Sequence, residues 1–134
     1  MLEIPRTIFR QMVEQAETEA PIEACGILAG DNGRIEKLYK MTNVDNSSEH
    51  FMMEPKEQFA VAKDIRARGL KMLAIYHSHP TAPARPSDED IRLSLMPDVT
   101  YVIVSLKEPS PPVIKGFLIK DGAITKVPIK VLER

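Results

Sequence analysis

The chain has 134 residues, 43% hydrophobic and 28% charged, with a formal net charge of −1. That length and balance suit one globular domain spanning residues 1–134. The absence of a long Lys/Arg cluster argues against nucleic acid as a partner, and no stretch has the apolar length of a membrane span. The start, MLEIPRTIFRQ, carries charged and polar residues where a secretory leader needs an apolar core. The single cysteine, Cys25, allows no internal disulfide. A cytoplasmic protein is therefore expected, and the acceptor-like triplet Asn46-Ser47-Ser48 is discounted as a glycosylation site. A monomer and a homodimer are equally compatible with these numbers.

Ile8, Phe9, Met12, Val13 and Ala16 follow Pro5 and Thr7 at helical spacing. The segment ACGILAG then predicts a short buried strand ended by the turn GDNG. RIEKLYKMTNV predicts a second strand and EHFMM a third. After Pro55, the residues Phe59, Ala62, Ile65 and Leu70 predict a helix of three to four turns closed by Gly69. KMLAIYH is apolar at nearly every position, as in a central strand covered on both faces. Ser87 to Met96 predicts another helix stopped by Pro97, and TYVIVSLK a second buried strand. KEPSPP, Lys107 to Pro112, predicts a turn. The end of the chain predicts two strands around Lys120-Asp121-Gly122, a hairpin signal. This order implies an α/β or α+β fold, a mixed β-sheet flanked by helices.

The chemistry concentrates in IYHSHPTAPARPSDED, residues 75–90. Residues i and i+2 of a strand share a face, so His77 and His79 project side by side from a strand end. Two imidazoles can supply two positions of a tetrahedral Zn²⁺. A carboxylate would complete a site that keeps its fourth position for water, and Asp88, Glu89 and Asp90 are the candidates. Pro80, Pro83 and Pro86 stiffen the intervening loop. Ser87 is a good helix N-cap, with Asp90 at capping-box spacing. A helix start explains Ser87 and the acids taken alone, but imidazoles, stiff loop and carboxylate taken together favour a metal. A hydrolytic zinc site also needs a general base. Glu23 stands out because a carboxylate entering the apolar strand ACGILAG is costly unless compensated. Cys25 reads as a small buried hydrophobe, and Gly26 and Gly30 as packing or turn positions.

These residues resemble the JAMM signature of the MPN-plus zinc metalloproteases. His77-Ser78-His79-Pro80, six residues, Ser87, two residues and Asp90 match all five specified positions, and PIEACGILAG resembles the family's glutamate-bearing segment. The resemblance implies a cytidine-deaminase-like core, Zn²⁺ on His77, His79 and Asp90, Glu23 as general base, and Ser87 as a hydrogen-bond donor to the oxyanion. It also implies a compact prokaryotic member. Such members act on ubiquitin-like or sulfur-carrier proteins at the amide or isopeptide bond after a C-terminal Gly-Gly. Asn43 to Pro55 and the loop Thr81 to Pro86 are the expected walls of the substrate groove, into which the tail would add as a β-strand. A RadC-like protein, a tail-assembly peptidase and a metal-free MPN scaffold are the alternatives. The first usually reads His-Asn-His-Pro-Ser-Gly, unlike this chain, and the last typically loses ligands.

Overall fold

The computed structural model describes residues 1–107 and 112–133. Most of the turn expected at Lys107 to Pro112 thus lies outside the described residues. The elements run β1 (Leu2–Ile4), α1 (Arg6–Glu19), β2 (Cys25–Asp31), β3 (Arg34–Met41), α2 (Pro55–Ala67) and β4 (Lys71–His79). They continue with α3 (Asp88–Leu93), β5 (Thr100–Ser105), β6 (Val113–Lys120), β7 (Ala123–Val127) and β8 (Ile129–Val131). Among the described residues the strands form one mixed sheet in the order β7-β6-β5-β4-β2-β3-β1-β8. The expected mixed sheet with flanking helices is therefore present. No helix among the described residues is long and apolar enough to cross a membrane.

Strand alternation sorts the core into two faces. Leu28, Tyr76, Val102 and Val104 meet Ile8, Met12 and Ala16 of α1 on one side. On the other, Ile27 and Ala29 pack on Val61 and Ile65 of α2, while Tyr101, Ile103 and Phe117 pack near Ile91 of α3. Strand β4 lies between these two clusters, with Ile75 touching both. It pairs antiparallel with β2 and parallel with β5.

Four local expectations change. EHFMM does not form a strand: it holds one bridge, Asn43 to Met53. The Asn43 side chain occupies the groups a ladder would use, accepting from Met52 N–H at 3.1 Å and donating to the His50 carbonyl at 3.1 Å. The helix expected to reach Met96 ends at Leu93, because the Tyr101 hydroxyl accepts from the Leu95 and Met96 N–H groups at 3.2 and 3.1 Å. The second arm of the terminal hairpin is two strands. Pro128 has no N–H for the ladder, so the chain leaves β6 there and β8 pairs with β1 instead. Strand β1 itself carries too few residues to signal from sequence. The hairpin turn is as read, with Asp121 and Gly122 at φ 51° and 79°, the left-handed pair a two-residue turn needs.

Gly26 faces Tyr76 across the β2–β4 pair, and a Cβ there would meet the phenol ring at 2.3 Å. The ring cannot swing away freely. Its hydroxyl donates to the Gln15 side-chain oxygen, and the Gln15 amide donates to the Cys25 carbonyl at 2.9 Å. Gly26→Ala is therefore expected to cost about 1–3 kcal/mol through overpacking. In urea unfolding this would lower the midpoint while leaving the slope unchanged.

Candidate metal centre

The site is built where β2 begins and β4 ends. Cys25 pairs with His77, and Ser78 N–H donates to the Ala24 carbonyl at 2.9 Å. Ala24 N–H donates back to the Ser78 hydroxyl at 2.8 Å. Carried one step further, this pairing sets Glu23 opposite His79, on the face that His77 and His79 share. Ser105 donates to the Ala82 carbonyl at 2.6 Å, tying the proline loop to β5. The loop in turn accepts from His79, whose Nδ1 lies 2.8 Å from the Pro83 carbonyl. A proton on that nitrogen leaves Nε2 as a lone pair, the usual arrangement of a metal-ligating histidine.

Helix α3 delivers the third group. Ser87 and Asp90 form a reciprocal capping box: the Ser87 hydroxyl accepts from Asp90 N–H, and Asp90 Oδ2 accepts from Ser87 N–H, both at 3.0 Å. This holds the Asp90 carboxylate against both imidazoles. Oδ1 lies 3.2 Å from His77 Nε2 and Oδ2 lies 3.0 Å from His79 Nε2, while the two Nε2 atoms are 3.2 Å apart. Ligands bound tetrahedrally at about 2.0–2.1 Å stand roughly 3.3 Å apart, so this donor set fits a zinc ion. Of the three candidate acids, Asp88 is exposed and Glu89 pairs with Arg92; only Asp90 joins the histidines. A Glu23 carboxyl oxygen lies within 4.8 Å of a ring nitrogen of each histidine.

Burial makes the cluster electrostatically demanding. Glu23 is 2% exposed and its Oε1 has no hydrogen-bond partner among the described residues. Burial pushes its pKa up to about 8, His79 pulling against this and Asp90 and Glu49 adding to it. Burial lowers His77, the Asp90 carboxylate only partly offsetting it. Burial also opposes the His79 cation, but Asp90 and the Pro83 carbonyl raise that group above its ordinary value. For Asp90, burial is outweighed by its bonds to His77, His79 and the Ser87 N–H, which hold it well below the usual carboxylate range.

A model of the prokaryotic homologs of the JAB domain matches residues 5–116 of the chain. The chain belongs to this family. It is 35% identical over 136 residues to the CysO-cysteine peptidase of Mycobacterium tuberculosis, covering 100% of this chain and 93% of that one. It is 32% identical to a probable TtuB-protein conjugate cleaving protease of Thermus thermophilus, over 91% and 78% of the two chains. With a desampylase of Pyrococcus furiosus it shares 29% over 78% and 74%. A solution structure from Desulfitobacterium hafniense matches with a TM-score of 0.91 at 42% identity, over 100% and 94% of the two chains. A JAB1/MPN domain protein from Archaeoglobus fulgidus matches in fold, with a TM-score of 0.67 at 21% identity over 98% and 97%. The protein is thus a peptidase of the JAMM class.

In this JAB-family chain three residues that position the site carry little signal in the sequence. Ser78 alternates away from the site face, and its bond to Ala24 is visible only once β2 and β4 are paired. Phe51 stacks on His77 with ring centroids 4.7 Å apart. Asn43, 3% exposed, donates to the Glu23 and His50 carbonyls and accepts from the Asp45 and Met52 N–H groups. A buried asparagine just past a strand was its one signal. Burial pushes the Cys25 thiol up to about 12, so it is an inert core group.

A groove of about 220 Å³ opens beside the cluster, between Phe51–Met53 and Leu93–Met96. The expected wall at 43–55 contributes residues 50–53. Of the loop 81–86 only Pro86 lines the groove, because that loop is drawn back by its bonds to His79 and Ser105.

Two outcomes follow from this geometry. With Glu23 near 4.5 unfolded and about 8 folded, the native metal-free chain holds the extra proton between those values. Its stability through this group is therefore lost as pH rises from about 5 to 8. Thermal unfolding of chelator-treated wild type and Glu23→Gln should show the variant gaining relative to wild type across that range. Ser78→Ala leaves the Ala24 N–H buried without its partner and should cost about 1–3 kcal/mol; denaturant unfolding measures it.

Proposed function

We propose that this protein is a zinc-dependent peptidase that hydrolyses the amide or isopeptide bond after the C-terminal Gly-Gly of a ubiquitin-like or sulfur-carrier protein, in a cytoplasmic setting. The convergence of His77, His79 and Asp90 within 3.0–3.2 Å of one another, with a Glu23 carboxyl oxygen within 4.8 Å of a ring nitrogen of each histidine, carries this reading. The relatives support the substrate class, since one is named for a CysO-cysteine linkage and another for TtuB-protein conjugates.

The three ligand side chains would hold zinc, which supplies a water acidified toward a pKa of about 7 and polarisation of the scissile carbonyl. The protein residues do the rest. Glu23 borders the same centre, a carboxyl oxygen within 4.8 Å of a ring nitrogen of each histidine. It takes a proton from the attacking water and returns it to the leaving amine, a two-way transfer open to a buried carboxyl at the edge of the centre. The Ser87 oxygen is already an acceptor from Asp90 N–H, so its own O–H proton is left to donate to the developing oxyanion. The Pro83 carbonyl keeps His79 in one tautomer, and Phe51 fixes the plane of His77.

Purified protein is expected to carry about one zinc per chain and to cleave a Gly-Gly-linked conjugate. Glu23→Gln should lower kcat by at least about 10²-fold with zinc retained. His79→Ala should lose both zinc and activity. Elemental analysis alongside turnover checks both, and full activity of Glu23→Gln would remove Glu23 as the base.

A further inference from the structure

Two glycines present no side chains, yet the groove beside the metal centre is built to receive one. Its floor includes Ile75, Tyr101 and Ile103, and its rims carry Met52 on one side with Leu95 and Met96 on the other. The rim residues are conspicuous for their chemistry: Met52 is 53% exposed and Leu95 85%. Apolar side chains held that open beside the metal centre mark a contact surface, and the part of a substrate next to the scissile bond is what reaches it.

The layout tells which side of the bond runs there. The groove is bordered by His77 and Asp90 but not by Glu23 or His79. The leaving amine collects its proton from Glu23 and so departs on the Glu23 side. The acyl portion, carrying the Gly-Gly, therefore lies on the His77 side, along the groove. Ile75 precedes His77 by two residues on β4, about 6.6 Å at roughly 3.3 Å per residue. Two extended glycines span that same length. The next side chain upstream then arrives over Ile75, between Met52 and Leu95.

We propose that this groove selects substrates whose residue immediately upstream of the Gly-Gly is apolar, a specificity that rests on the peptidase reading above. Methionine side chains on the rim adapt to shape, so Leu, Met and Phe are all accepted, while Ser and Asp are not. Hydrophobic pockets of this kind discriminate by about 10–200-fold.

The test uses zinc-loaded full-length protein and the peptides acetyl-Ala-Xaa-Gly-Gly-aminomethylcoumarin, with Xaa as Leu, Phe, Ser or Asp. The expected result is a kcat/KM at least about tenfold higher for Leu and Phe than for Ser, and lower again for Asp. Met52→Asp and Leu95→Asp, both at exposed positions that the fold tolerates, should raise KM for the Leu peptide with zinc content unchanged. Phe59→Ser, an equally exposed apolar residue on α2 outside the groove lining, should leave it unchanged. Equal cleavage of Leu, Ser and Asp peptides overturns the selectivity and leaves the Gly-Gly reading standing. Cleavage of none of them by zinc-loaded protein overturns both.

Discussion

The antiparallel pairing of β2 with β4 is the constraint on which the site depends. It brings an acid and two imidazoles to the same face of the sheet, and the Ser78–Ala24 exchange extends the pairing past the end of the ladder. Removing these groups from water is unfavourable unless each finds a partner or a counter-charge. Asp90 meets that need for the histidines, and its own charge is held by the helix start and by the imidazoles. Among the described residues one Glu23 oxygen is left without a partner. The local energy is therefore poor in the absence of a cation and a proton carrier, which is how a fold stores the capacity for chemistry.

Much of the centre was legible because its spacing is local. His77 and His79 share a strand face by period two, and Ser87 with Asp90 is a helix-start pattern whatever else it does. Ligand chemistry alone left Asp88, Glu89 and Asp90 as candidates, and the resemblance to the JAMM signature singled out Asp90. The capping box separates them, since only the third residue of the first turn can fold back toward the serine. Glu23 was visible as an anomaly, an acid before an apolar strand, although its distance to the histidines follows only from strand order. What stayed hidden was non-local: the Tyr101 hydroxyl that cuts α3 short, the Asn43 side chain that prevents a third strand, and Pro128, whose effect depends on β1 lying ready as a new partner.

The two helices on the site face divide the labour. Helix α2 packs over β2, β3 and part of β4, and α3 lies near β5 and β6, so that Ile75 of β4 with Tyr101 and Ile103 of β5 is left between them as the groove floor. The groove is thus the gap between two ordinary packing contacts, with the truncated end of α3 as its rim.

Asn43 gives this economy a mechanical side. One amide group grips the backbone at Glu23 and at His50, and its oxygen gathers two N–H groups of the same segment. The groove wall and the backbone of Glu23 thus hang from a single pin. Displacing the wall by more than a bond's slack drags the chain that carries Glu23. On the role proposed for Glu23, a substrate that seats badly would thereby misaim its carboxyl, so that fit and chemistry would be checked in the same motion.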